Sequence, residues 1–155
     1  MAAAPQIAAT STTLANILFP TDFSEASARA FPYALAIARQ HDAIIHVTHV
    51  VTPTRKRPGL NRSATDDAAT EACRVAEHKL KAMLEPKLIE CVRCHSEVRE
   101  GTVWGCVSSL IMERNINLVV LGTKAAGGLE RAIHGSDAEE IFRESPCPVL
   151  TVRHA

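Results

Sequence analysis

Apolar residues along this chain follow two rhythms in alternation: short unbroken runs, and longer stretches in which they return every three or four positions. The runs are Asn16-Ile-Leu-Phe-Pro20, a β-branched segment at 43–51, a segment at 92–98, Leu118-Val-Val-Leu121 and Val149-Leu-Thr-Val152. Runs of this kind suit strands covered on both faces, as in a parallel sheet. Between the first two, Ala30, Tyr33, Ala34, Ile37 and Ala38 recur at helical spacing and predict a helix that starts at an Asp22 or Ser24 cap and ends near residue 40. Ala69, Ala72, Ala76, Leu80, Met83 and Leu84 predict a second helix over 67–85, stopped by Pro86. Gly101 and Thr102 punctuate the start of a third, carried by Val103, Val107, Leu110 and Ile111, and 136–145 reads as a fourth, closed by Pro146 and Pro148. This alternation predicts one doubly wound α/β domain, a five-stranded parallel sheet with helices on both faces, because each parallel crossover needs a helix to return the chain.

Two segments stand outside the pattern. Residues 1–14 are small and polar without periodicity and read as a mobile tail ahead of a domain at 15–155. Residues 52–67, rich in Pro, Gly, Asn and Ser, read as a long connection, of a length usually functional or disordered.

A chain of 155 residues is one domain in size and buries roughly 70% of the surface its unfolded form exposes, so it folds without staples. Seventeen basic side chains balance seventeen acidic ones, so no global charge steers it to nucleic acid or to an anionic membrane. No apolar run approaches the roughly 18 residues of a membrane span, and residues 1–16 lack the basic start and apolar block of a secretory signal, so the cytoplasm is the expected location. The five cysteines are odd in number and scattered, which predicts reduced thiols.

The candidate chemistry lies in Leu118-Val-Val-Leu-Gly-Thr-Lys-Ala-Ala-Gly-Gly-Leu-Glu-Arg-Ala-Ile-His-Gly-Ser136. A strand breaks at Gly122, and Gly135-Ser136 opens a helix whose unpaired N–H groups and positive dipole end suit an anion. Ser136-Asp-Ala-Glu139 also reads as a capping box, which gives Ser136 a purely structural role as the alternative. Asp137, Glu139 and Glu140 in the first turn would repel a phosphate, with Lys124, Arg131 and His134 as counterweights. Asp22, just past the first strand, adjoins this loop at the topological switch point, where such sheets bind ligands. Helix capping is its other reading. Arg55, Lys56, Arg57 and Arg62 make the long connection basic: a solvated loop, or a flap able to reach phosphates.

From about Ile17 to Arg153 the chain resembles the universal stress protein family. Three segments carry the likeness: Ile17-Leu-Phe-Pro-Thr-Asp-Phe-Ser24, His49-Val-Val51, and the Gly122–Ser136 loop followed by Cys147-Pro-Val-Leu-Thr-Val-Arg153. The resemblance implies an adenine nucleotide alpha hydrolase-like fold that binds ATP, with Mg²⁺ a candidate companion, in a cleft made by Pro20, Thr21, Asp22, Val50, Leu121, Gly122, Ala125, Gly135, Ser136 and Asp137. It also implies a homodimer paired through the last strand, from Val149 to Val152. Nucleotide-binding members show Gly-x2-Gly-x9-Gly-Ser/Thr in the loop; this chain has Gly122, Ala125, Gly135 and Ser136 in that register. An alanine forced into glycine's left-handed conformation would cost about 1–2 kcal/mol. The competing reading is a dimeric interaction protein with a degraded site.

Other motifs carry less. Cys91-Val-Arg-Cys94-His95 has the form of a haem-attachment or redox string, but it sits at a strand entrance in a chain without an export signal, and no second ligand pair completes a zinc site. The Gly122-x4-Gly127 string lacks the lysine of a P-loop, and no Gly-x-Ser-x-Gly elbow occurs, so nothing supports catalysis beyond slow ATP hydrolysis.

Overall fold

The computed structural model describes residues 12–53, 62–88, 92–124 and 136–154. Five strands and four helices alternate: β1 (Asn16–Pro20), α1 (Glu25–His41), β2 (Ile44–Val51), α2 (Arg62–Leu88), β3 (Cys94–Glu100), α3 (Val103–Glu113), β4 (Leu118–Lys124), α4 (Ser136–Glu144) and β5 (Val149–His154). All pairings are parallel, in the order β3-β2-β1-β4-β5. The chain winds outward from β1 to β3, then returns to the other side of β1 for β4 and β5. The switch point therefore falls between β1 and β4, at their carboxyl ends.

Strand parity sorts the core into two halves. Ile17, Phe19, Ile45 and Val47 point to one face and pack with Ala30, Phe31, Ala34 and Leu35 of α1 and Leu80 and Leu84 of α2. Leu18, Val119 and Leu121 point to the other and pack with Val107, Leu110 and Ile111 of α3 and Ile141 of α4. Helices thus cover both faces, as the apolar runs require. Among the described residues, no helix is long and apolar enough to cross a membrane. Cys73, Cys94, Cys106 and Cys147 are unbonded.

Several expectations need correction. The second helix begins at Arg62, five residues before the predicted start at 67, so part of the expected connection is its first turns. It also continues through Pro86 to Leu88, because a proline ring already has helical φ and near the helix end forfeits only one backbone bond. Tyr33 is 56% exposed, and Ala72 is exposed as well. In α1 the inward stripe runs instead through Ala26, Ala30, Phe31, Ala34, Leu35 and Ala38. The third strand is also shifted, to Cys94–Glu100, and the fourth and fifth extend three and two residues further than their apolar runs. The predicted tail falls outside the described residues except at 12–14.

Candidate functional site

Where β1 ends, the backbone must turn away from the sheet and enter α1, and short polar side chains hold that turn. The Thr21 amide donates to the Thr48 carbonyl at 2.8 Å, tying the turn to β2. Thr21 Oγ1 accepts from the Phe23 amide at 3.0 Å, which fixes Phe23 in the left-handed region at φ 61°. Asp22 Oδ1 accepts from the Ser24 amide at 2.9 Å and from Ser27 Oγ at 2.7 Å. Burial opposes its ionisation, but the hydrogen bonds from Ser24 and Ser27 outweigh it and hold the carboxyl below the usual carboxylate range. Ser24 is the α1 cap, its side chain accepting from the Ser27 amide at 3.3 Å. The two sequence readings of Asp22 are therefore compatible: it braces the turn and borders the site.

His49 completes the brace from β2. Its Nδ1 donates to the Thr21 carbonyl at 2.8 Å, and its ring lies 4.5 Å from that of Phe23, centroid to centroid. Lys79 Nζ of α2 also lies over the Phe23 ring, 5.3 Å from its centroid.

β4 closes the opposite side. Gly122 lies against the first turn of α1 so closely that a Cβ would strike the Ala26 carbonyl and come within 2.7 Å of the Ser27 nitrogen. Glycine is required here for backbone approach, not for an unusual φ.

Between these elements lies a cavity of about 180 Å³ at the carboxyl ends of β1, β2 and β4. Its walls are Pro20, Thr21, Asp22 and Ser27 from the first turn, Thr48, His49 and Val50 from β2, Leu121 and Gly122 from β4, Val103 from α3, and Asp137, Ala138 and Ile141 from the start of α4. Seven of the ten expected residues, namely Pro20, Thr21, Asp22, Val50, Leu121, Gly122 and Asp137, thus converge on one hollow. Ser136 opens α4 and is exposed, but it does not line the cavity. Ala125 and Gly135 lie outside the described residues, as do Arg131, His134, Cys91 and the basic residues Arg55, Lys56 and Arg57. Cys94 opens β3 half-buried, and burial pushes its thiol up, away from the low value of a reactive cysteine.

Sequence reading missed Ser27, Thr48, His49, Val103, Ala138 and Ile141. Two signals were available: Thr48 shares strand parity with Val50, and Ala138 and Ile141 continue the face of α4 that Asp137 begins.

The profile of the universal stress protein family matches residues 13–153. The chain belongs to the universal stress protein family. A universal stress protein of Methanocaldococcus jannaschii is 31% identical over 141 residues, covering 89% of this chain and 81% of that one. Among solved structures, a universal stress protein family member from Burkholderia pseudomallei superposes with a TM-score of 0.68 at 24% identity, over 92% of this chain and 98% of that one. A universal stress protein in complex with cAMP gives a TM-score of 0.58 at 20% identity, over 91% of this chain and 98% of that one. An Arabidopsis thaliana member with AMP bound gives 0.52 at 16% identity, over 91% and 92%. At these identities the structures establish that the universal stress protein fold is shared.

Proposed function

We propose that this chain is a cytoplasmic universal stress protein module that binds ATP or a related adenine nucleotide at the carboxyl ends of β1, β2 and β4. The observation that carries the reading is the convergence of the β1–α1 turn, the end of β2, Gly122 and the first turn of α4 on a single cavity at the switch point. Its volume, about 180 Å³, falls below the roughly 300–1,000 Å³ of pockets that enclose a whole small molecule. It therefore suits the nucleoside, with the phosphates extending along the rim at α4, where free amides and the helix dipole favour negative charge. That two fold neighbours carry cAMP and AMP supports the same ligand class. Among the described residues, no group of three or more His, Cys, Asp or Glu could cage a metal. Asp22 and Asp137 are the wall carboxylates that would meet a Mg²⁺ bound to the phosphates.

Asp137 also places a negative charge where the phosphates would lie, the one feature of the described walls that favours a weakened site. Isothermal titration with ATP and AMP, with and without Mg²⁺, tests the proposal. Binding with one nucleotide per chain is expected, strengthened about two- to fivefold by Asp137→Asn and strengthened by Ala125→Gly. No heat from wild type or either variant would leave the interaction-protein reading.

The dimer belongs to the same proposal. β5 is the outer strand beyond β4, and Leu150, 36% exposed, and Thr151 lie on its open edge. Such an edge accepts a second strand, and light scattering at micromolar concentration is expected to give twice the chain mass.

A further inference from the structure

Thr48 carries an anomaly that the fold does not explain. It is only 1% exposed, yet its Oγ1 is a buried polar atom without a hydrogen-bond partner among the described residues. A buried hydroxyl in that state is costly, and native interiors seldom keep one without a use. Valine has the same shape and would serve a β-strand interior better. The position is also a wall of the cavity.

Parity fixes which way the side chain faces. Ile45 and Val47 of β2 pack in the core half beneath α1 and α2, so Thr48 and Val50 project to the opposite face, the one beneath α3 and α4. Leu121 and Ile141, also walls of the cavity, belong to that second half. Thr48 therefore lines the β2 side of the cavity with Val50, while Asp137 and Ala138 line it from the start of α4. A nucleotide with its phosphates toward α4 directs its base to β2.

We propose that Thr48 reads the polar edge of the base, its hydroxyl supplying the hydrogen bond it lacks in the free protein. This rests on the adenine-nucleotide reading above and deepens it by naming a specificity-determining residue. A hydroxyl oxygen accepts as well as donates, so it can accept from the exocyclic amino group of adenine. A site that leaves a polar group unpaired without its ligand also discriminates strongly against ligands that cannot pair with it.

The test is a cycle of two variants and three ligands, followed by calorimetry. Thr48→Val keeps the shape and removes the hydroxyl; Thr48→Ser keeps the hydroxyl. Thr48→Val is expected to weaken AMP binding about tenfold while Thr48→Ser stays within about threefold of wild type. The Thr48→Val loss should vanish with purine riboside monophosphate, which lacks the amino group, and persist with 2′-deoxyadenosine monophosphate. Thermal unfolding without ligand shows whether each variant is folded, and Thr48→Val should be no less stable than wild type. AMP affinity unchanged in Thr48→Val, or a loss that vanishes with the deoxy ligand instead, overturns the role of Thr48 and leaves the nucleotide reading standing. A wild-type chain that binds neither these ligands nor ATP overturns both.

Discussion

Replacing Gly122 by alanine isolates what that glycine does. The added Cβ would meet the carbonyl carbon and oxygen of Ala26 and sit 2.7 Å from the Ser27 nitrogen, all backbone atoms of the first turn of α1. No rotamer change can clear them, so β4 and α1 must separate. Overpacking of this sort costs about 1–3 kcal/mol. Fewer conformations in the unfolded chain offset roughly 0.4–1 kcal/mol of that. The net loss is about 1–2 kcal/mol, and at about 2–4 °C per kcal/mol for a domain of this length the thermal midpoint should fall by about 2–8 °C. Nucleotide affinity should fall too, because Ser27, whose hydroxyl donates to Asp22, lies on the displaced turn. Thermal and urea unfolding of Gly122→Ala, with Ala26→Gly in the same background, checks this. The second change should give no rescue, since the obstacle is the carbonyl and not the Ala26 methyl. A midpoint within about 1 °C of wild type would refute the close-approach argument.

Asp22 and His46 make two separate tests of pH, both losing stability on acidification. The Asp22 carboxyl is held below its usual range by Ser24 and Ser27 despite the opposing effect of burial, so its contribution is present above the unfolded-state value and lost as pH falls through the folded one. The stability gap between wild type and Asp22→Asn should accordingly be widest near neutrality and narrow in acid urea titrations. His46 donates from Nε2 to Asn16 Oδ1 at 3.0 Å and stacks on His95 at 5.6 Å. Burial first, then the nearby charges of His95 and Arg114, hold it below the ordinary histidine range, with Glu97 acting the other way. The unfolded chain then takes up the proton more readily, so wild type should lose stability as pH drops below about 6.5. His46→Gln, which keeps a donor toward Asn16, should flatten that part of the thermal profile.

How much the sequence reveals depends on whether a feature is local. β1 was legible residue for residue, since five positions with Ile17, Leu18 and Phe19 at their centre admit no other reading in this alternation. The approach of Asp22 to Gly122 followed from the switch-point rule for doubly wound sheets. Tyr33 was misplaced because periodicity registers an aromatic residue without showing that α1 turns it past the core. The start of α2 was missed because Arg62, Ser63 and Asp66 belong to residue types common in turns, while the packing that extends the helix lies at Leu80 and Leu84. Thr48 and His49 were missed for a different reason. Within a strand nothing marks a threonine as unpaired, and the partner of His49 is a carbonyl 28 residues away.

The cavity draws its walls from Pro20 near the beginning of the fold to Ile141 near its end. No contiguous fragment shorter than that span can assemble it, so occupancy certifies that the β1 turn, β2, β4 and α4 have all docked. Whatever settles there fastens the two ends of the polypeptide together and stabilises the domain as a unit, by mass action rather than by any local clasp.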